Sequence, residues 1–205
     1  WGDSHAASLS SGLRVFMPNL VQYTASGCAP MVGVAFSDRQ HCNEINDFIL
    51  QEVERIKPDK IFLHANWLSH QDVNLALSIA RTMDRIREAS PSSMVFVVGG
   101  VPQWTKRLPA IMLREGIALD KLAFVHTPAL KELKALDARL RLVALAGGAS
   151  FLSALESLCG DDACQAVSAA SGGFAPTAWD YGHLTESGSE LLAMKVLAQI
   201  GTVPR

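Results

Sequence analysis

Apolar side chains recur at intervals of three and four residues in several stretches of the chain, which places them on one face of an α-helix. In the first stretch, Leu9, Leu13, Phe16 and Leu20 follow this period. The pattern predicts helices from Ala6 to about Tyr23, from Asn43 to just before Pro58, from Asp72 to Glu88, from Leu108 to Glu115, from Ala129 to Leu145 and from about Ser187 to Ile200.

Short apolar runs lie between the predicted helices and are typical of buried strands. Lys60–Ala65 and Met94–Val98 are the clearest, and Gly99-Gly100 closes the second. Ser150–Leu152 is a shorter candidate. The segments 24–42 and 158–179 contain several Ser, Gly and Pro residues, and we predict that they are loops.

Strands that alternate with helices predict an α/β fold, with a parallel sheet covered by helices on both faces in a three-layer α/β/α sandwich. No internal repeat is visible, and we expect residues 1–205 to form a single domain. In such folds a nucleophile follows a strand. The chain opens on Trp1 with no strand ahead of Ser4, so we expect the first strand upstream and the chain to be the C-terminal part of a longer protein.

The composition and charge of the chain limit the classes of function that it can have. Of the 205 residues, 49% are hydrophobic and 19% are charged, which is typical of a globular chain. The formal net charge of −2 and the scattered Lys and Arg residues argue against nucleic acid as a partner. No apolar run approaches the roughly 18 residues that span a bilayer. The absence of a signal peptide says nothing about the compartment of a fragment.

The candidate chemistry lies at the two ends of the chain. Gly2-Asp3-Ser4 precedes a predicted helix, so Ser4 would lie at a helix N-terminus, where N–H groups and the helix dipole stabilise a developing oxyanion. Asp180 and His183 are three residues apart, a spacing that allows the carboxylate to orient the imidazole. An imidazole held in this way is the base that a serine hydroxyl needs before it can attack.

Each of these residues has a simpler interpretation. Ser4 alone would be expected to cap the helix, and Asp180 alone would be a loop aspartate. Taken together with His183, they favour a catalytic set. His5 is adjacent to Ser4 and would point elsewhere if the helix begins there. His41, His64, His70 and His126 are interpreted as lacking a carboxylate at matching spacing and are expected on the surface or in the core. Asp3 is not accompanied by a cluster of residues at ligand spacing, so we predict no metal and no cofactor.

These motifs resemble the SGNH (GDSL-type) hydrolase family, and within it the SGNH domains behind acyltransferase-3 membrane proteins that O-acetylate bacterial surface polysaccharides. The resemblance covers nearly the whole chain and implies a flavodoxin-like sandwich. The segments that carry it are Gly2-Asp3-Ser4-His5-Ala6, Ser26-Gly27-Cys28-Ala29-Pro30, Val98-Gly99-Gly100-Val101-Pro102, Cys159…Cys164 and Asp180-Tyr181-Gly182-His183-Leu184-Thr185.

The resemblance assigns a role to each candidate residue. Ser4 is the nucleophile, His183 the general base and then acid, and Asp180 its orienting carboxylate. The oxyanion hole consists of the Ser4 N–H, the side chain of Asn66 at the end of a buried strand, and the N–H of Gly27. Around Gly27 the chain departs from the family pattern, because a cysteine loop replaces the usual glycine motif.

Four cysteines allow three pairings, and a zinc site or free buried thiols are the alternatives. Neither close pair has the CxxC spacing usual for zinc. Pairing Cys28 with Cys42 and Cys159 with Cys164 would close short loops. The resemblance favours these two disulfides and hence an oxidising compartment such as the periplasm.

The function implied is acyl transfer, of acetyl above all, to a sugar hydroxyl of a surface polysaccharide through an acyl-serine. The partners implied are an acyl donor, a carbohydrate acceptor and a fused upstream transmembrane acyltransferase domain that tethers this domain to the inner membrane. An esterase that passes the acyl group to water is the alternative, and a non-catalytic carbohydrate-binding domain is the second. Trp67, Trp104 and Trp179 are equally compatible with sugar contacts and with core packing.

Overall fold

The structure is a computed structural model that describes residues 1–36, 39–71 and 74–201. Its helices are α1 (Ser4–Phe16), α2 (Cys42–Ile56), a 3₁₀ helix (Trp67–His70), α3 (Leu75–Ala89), α4 (Leu108–Glu115), α5 (Leu130–Ala146), α6 (Ala154–Leu158) and α7 (Glu186–Ala198). Its strands are β1 (Lys60–Leu63), β2 (Met94–Val98), β3 (Phe124–His126), β4 (Ser150–Leu152), β5 (Ala163–Gln165), β6 (Val167–Ala170) and β7 (Gly173–Pro176).

The chain divides into two units of internal contacts. The first unit contains Trp1–Ala6, Tyr23–Gly100 and Ala135–Leu152, and the second contains Ala7–Gln22, Val101–Lys134 and Ser153–Arg205. This division does not test the expectation of a single domain over residues 1–205, which stays a prediction.

A parallel sheet with the strand order β1-β2-β4 is the centre of the first unit. Ile61 is paired with Val95, and Val97 with Phe151. The first residues of the chain run alongside β1: the nitrogen of Trp1 donates to the Phe62 carbonyl at 2.9 Å, and His64 N–H donates to the Trp1 carbonyl at 3.1 Å. Gly2 also forms a parallel bridge to Thr24 on its other side.

Successive side chains along each strand of this sheet lie on opposite faces, and one of these faces forms the core of the first unit. One face of the sheet carries Ile61, Leu63, Val97 and Phe151, which belong to one buried cluster with apolar side chains of α2, α3 and α5. On the opposite face Phe62 stacks on Phe96 with ring centroids 5.1 Å apart. Strands buried on both faces are typical of parallel sheets, which explains why the sequence shows continuous apolar runs here.

The second unit contains two antiparallel strand pairs, β3 with β5 and β6 with β7. Helix α7 contacts β6 and β7 as well as α6. Its Ser189 hydroxyl donates to the Leu9 carbonyl at 2.9 Å and accepts from the Gly12 N–H at 2.8 Å, so the body of α1 lies directly against α7. A Cβ at Gly12 would come within 2.2 Å of the Ser189 backbone, and only glycine permits this approach.

Several predicted boundaries differ from the structure. Helix α1 ends at Phe16 and not near Tyr23, because Pro18 disfavours the helical conformation of the residue before it. The segment 158–179 is not a loop, since it contains β5, β6 and β7. These strands of three or four residues, like β3, are too short to show a periodicity. The predicted start of the third helix, Asp72 and Val73, lies outside the described residues.

Candidate functional site

Ser4 is the first residue of α1 and follows directly on the strand-like pairing of Trp1 and Gly2. Asp3 caps the helix, since its Oδ1 accepts the His5 N–H at 2.8 Å. A Cβ at Gly2 would lie 1.7 Å from the His64 carbonyl oxygen, so this tight pairing requires glycine. The turn therefore presents Ser4 at the positive end of the helix dipole, as the sequence predicted.

Asp3 also holds the segment that carries Asn66. Its Oδ2 accepts the backbone N–H of Asn66 at 2.9 Å, which connects residues 63 positions apart. Burial raises the pKa of Asp3, but the nearby His70 and His5 side chains and the Asn66 N–H outweigh this effect, and the pKa falls below its ordinary value. The Nε2 of His70 lies 3.8 Å from Asp3 Oδ2, slightly beyond hydrogen-bonding distance.

The sequence prediction misses this role of Asp3 and includes the residue only as a possible metal ligand. The available signal was its place immediately before a predicted helix, a position that favours aspartate as an N-cap. Its second hydrogen bond, to Asn66, depends on the tertiary structure alone.

Asn66 lies just beyond β1 and precedes the 3₁₀ helix, and it is buried. Its side chain does not cap that helix, unlike Asn74, whose Oδ1 accepts the Leu77 N–H at the start of α3. Capping therefore does not explain Asn66. The next residue, Trp67, is fully buried and donates from Nε1 to the Val98 carbonyl at 2.8 Å, which fixes the segment against β2.

Gly27 lies in a turn in which the Cys28 N–H donates to the Ala25 carbonyl at 3.0 Å. Its φ of 71° is in the left-handed region that favours glycine. Ala25 N–H donates to the Gly2 carbonyl at 3.1 Å, so this turn is tied to the residues that precede Ser4.

Three backbone segments of the first unit therefore end side by side. Gly2 pairs in parallel with both Thr24 and His64, and the chain continues from these segments to Ser4, Gly27 and Asn66. The C-terminal edge of a parallel sheet is where sites form in open α/β folds. The structure thus brings the predicted nucleophile and the two further oxyanion candidates to one edge.

The second unit holds the predicted base and its carboxylate. Asp180 Oδ2 lies 2.7 Å from His183 Nδ1, and Oδ1 accepts the backbone N–H groups of Gly182 at 2.9 Å and His183 at 2.8 Å. Burial raises the pKa of Asp180, but these hydrogen bonds outweigh it and the pKa lies below its ordinary value. The ionised carboxylate requires the hydrogen on Nδ1, which leaves Nε2 as the proton acceptor.

Two aromatic side chains contact the His183 ring. Trp179 stacks on it with centroids 5.4 Å apart and planes 20° apart, while Tyr181 meets it edge-on at 5.5 Å. Trp179 is 57% exposed, whereas Trp67 and Trp104 are buried. The core interpretation therefore holds for Trp67 and Trp104, and only Trp179 is a candidate for a sugar contact.

The structure joins Cys28 to Cys42 and Cys159 to Cys164, which confirms the predicted pairing. The first disulfide fastens the residue next to Gly27 to the start of α2. The second closes the turn before β5. Within the described residues no cysteine is free.

Four further histidines lie outside the proposed catalytic set. His64 and His70 are buried, and His41 and His126 are exposed, as expected of histidines outside the catalytic set.

Among residues 1–36, 39–71 and 74–201, no three His, Cys, Asp or Glu side chains are grouped as metal ligands would be. In the same part of the chain, no helix has the length and apolar character needed to cross a membrane.

The chain is similar to a known protein family and to solved structures. The family described as SGNH domain (fused to AT3 domains) matches residues 1–198. The chain is similar to the periplasmic domain of a lipopolysaccharide acetyltransferase from Salmonella ser. Paratyphi A, with 27% identity, a TM-score of 0.79, and 97% of this chain and 81% of that chain covered. A fainter similarity, with 14% identity, a TM-score of 0.47 and coverage of 74% and 39%, is to a peptidoglycan O-acetylesterase. No curated protein matches the chain.

The parallel sheet with its helices and the similarity to the Salmonella domain confirm the predicted α/β fold class. They are consistent with the α/β/α sandwich. The prediction of an SGNH-type acyltransferase or esterase is confirmed as well. The joint action of Ser4 with Asp180 and His183, and the oxyanion roles of Asn66 and Gly27, stay predictions. The chain belongs to the family of SGNH domains that are fused to AT3 domains.

Proposed function

We propose that this domain transfers an acetyl group to a sugar hydroxyl of a bacterial surface polysaccharide through an acyl-Ser4 intermediate. The observation that carries the proposal is the Asp180–His183 pair, whose 2.7 Å contact and two backbone hydrogen bonds fix the imidazole with Nδ1 against the carboxylate. The similarity to a lipopolysaccharide acetyltransferase domain supports the choice of acceptor.

In the first half of the reaction, Ser4 Oγ attacks the carbonyl carbon of the acetyl donor and its proton passes to His183 Nε2. Asp180 stabilises the imidazolium that results. The oxyanion accepts hydrogen bonds from the Ser4 N–H, the Asn66 side chain and the Gly27 N–H. Collapse of the intermediate leaves acetyl-Ser4, and the proton moves from His183 to the leaving group.

In the second half, a sugar hydroxyl gives its proton to His183 Nε2 while its oxygen attacks the acetyl carbon. The new ester bond forms, the bond to Ser4 Oγ breaks, and His183 returns the proton to Ser4. Water at about 55 M competes for the same intermediate, but a bound and oriented hydroxyl reaches effective molarities of about 10⁵ M or more. Positioning of the acceptor therefore separates transfer from hydrolysis.

We also propose that the domain acts in the periplasm, tethered to the inner membrane through an AT3 domain. The two disulfides support an oxidising compartment. The similarity to a periplasmic domain and the membership in a family fused to AT3 domains support the rest.

To test this proposal, the protein is given 4-nitrophenyl acetate as acetyl donor, with and without delipidated surface polysaccharide from the source organism as acceptor. We expect an acetyl adduct on the Ser4 peptide by mass spectrometry, and acetylated polysaccharide in addition to acetate. Acetate as the sole product with this acceptor would contradict transfer and leave an esterase. The absence of any adduct on the Ser4 peptide would contradict the covalent mechanism.

A further inference from the structure

Trp179 is an exposed tryptophan beside the proposed base. Its exposed fraction is 57%, while Trp67 and Trp104 are almost completely buried. Large aromatic side chains supply much of the apolar area that a protein buries. A solvent-facing indole next to His183 is therefore not explained by packing of the core.

One face of the indole is already occupied. The Trp179 and His183 rings are 20° from parallel with centroids 5.4 Å apart, an offset stack. More than half of the residue nevertheless remains accessible to solvent.

The backbone that presents this indole is held firmly. Trp179 N–H donates to the His183 carbonyl at 3.0 Å, and Ala178 forms an antiparallel bridge with Leu184. One step further along, Thr185 N–H donates to the Thr177 carbonyl at 3.1 Å. Binding to a surface fixed in this way loses little conformational entropy.

We propose that Trp179 is the acceptor platform of the domain: its solvent-facing ring stacks on a sugar ring of the polysaccharide and so delivers a hydroxyl to His183 Nε2. This inference rests on the proposed transfer reaction and names the residue that selects its acceptor. The flat, C–H-lined face of a pyranose complements an indole face, while its hydroxyls project at the ring edge. The platform favours the sugar over water when acetyl-Ser4 is resolved.

The consequence is a partition between two products. Loss of the platform lowers the occupancy of the acceptor, so acetyl-Ser4 is increasingly hydrolysed. The molar ratio of acetylated polysaccharide to acetate reports this partition. A variant that merely disturbs His183 slows both outcomes, because both require the same base, and leaves the ratio unchanged.

The experiment measures this ratio for the full chain and its variants, with 4-nitrophenyl acetate as donor and delipidated surface polysaccharide of the source organism as acceptor. Trp179→Ala is expected to lower the ratio about tenfold, corresponding to about 1.4 kcal/mol of lost acceptor binding. It is also expected to raise the acceptor KM. Trp179→Phe, which keeps an aromatic face, is expected to stay within about threefold of the wild-type ratio.

Phe124→Ala is the matched control, since Phe124 is 56% exposed and lies in the same unit. It is expected to leave the ratio unchanged. An unchanged ratio in Trp179→Ala, whether total turnover falls or not, would overturn the platform while transfer stands. A wild-type domain that makes only acetate would overturn both the proposed transfer and the platform.

Discussion

Asp3 and Asn66 are joined by a buried hydrogen bond of 2.9 Å from the Asn66 N–H to Asp3 Oδ2. The other oxygen of the same carboxylate caps the helix that begins at Ser4. One side chain thus positions both the proposed nucleophile and a proposed oxyanion donor.

Asp3→Asn is expected to lower kcat about tenfold or more with little change in KM. An amide has one acceptor oxygen, so at least one of the two N–H groups loses its strong acceptor and the charge is removed. The cost of an unsatisfied buried N–H, about 1–3 kcal/mol, should also lower the free energy of unfolding. Asp162→Asn, at an exposed position, is the control. Unaltered kcat in folded Asp3→Asn protein would show that Asp3 does not position the site.

Ser4→Ala and His183→Ala are each expected to remove nearly all acetyl-ester cleavage, because nucleophile and base act as a unit. Asp180→Asn is expected to cost up to about 10⁴-fold, since the neutral amide neither fixes the Nδ1 hydrogen nor stabilises the imidazolium. Ester cleavage is followed with 4-nitrophenyl acetate, and circular dichroism checks the fold. Ser11→Ala, on the same helix, is the control. More than about a tenth of wild-type activity in Ser4→Ala would refute the nucleophile.

Asn66→Ala is expected to lower kcat by about 10²–10³ at nearly constant KM, because an oxyanion donor acts mainly in the transition state. Asn74→Ala is the matched control, since Asn74 caps α3. It should cost about 1 kcal/mol of unfolding free energy without changing kcat. A rise in KM alone for Asn66→Ala would assign the residue to substrate binding.

The two disulfides are expected to differ in their effect on catalysis. Replacing Cys28 and Cys42 together by Ala loosens the turn that holds Gly27, so both stability and kcat should fall. The chain-entropy model assigns about 3 kcal/mol to a loop of roughly 15 residues. Replacing Cys159 and Cys164 should lower stability alone. Urea unfolding and ester cleavage measure the two effects, and equal kcat in both double variants would argue against Gly27 as a donor.

The buried His64 is expected to make the fold sensitive to acid. Burial lowers the pKa of His64 from 6.5, and the negative charge of Asp3 only partly offsets this shift. The Nδ1 atom of His64 contacts the Val98 carbonyl at 3.2 Å. Below about pH 6.5 the unfolded chain therefore binds a proton that the folded chain does not, and stability falls as the pH falls, by at most about 1.4 kcal/mol per pH unit.

Urea midpoints between about pH 7.5 and 5.5 test this, with His64→Gln expected to flatten the dependence. His126→Gln, at an exposed position, is the control and should keep it. A pH dependence in His64→Gln as steep as in the wild type would assign the acid sensitivity to other groups.

The features that depend on interactions between neighbouring residues were predictable from the sequence. Helix α4 and strand β2 have the predicted bounds, because their apolar patterns and terminal residues are local signals. The contact between Asp180 and His183 was predictable for the same reason, since three residues separate them. The family was recognisable from motifs of a few adjacent residues.

Which side chains are buried, and which groups distant in sequence meet, depends on the tertiary structure. The hydrogen bond of Asp3 with Asn66 spans 63 positions, and no local pattern specifies it. The sequence does not distinguish a buried from an exposed position for Trp67, Trp104 and Trp179. Packing buries the first two and leaves the third exposed, stacked on His183. Strand β5 forms because its backbone groups pair with those of β3, which lies far away along the chain, and pairing of this kind is a property of the fold and not of the segment. Strands β6 and β7 pair with each other across a short turn.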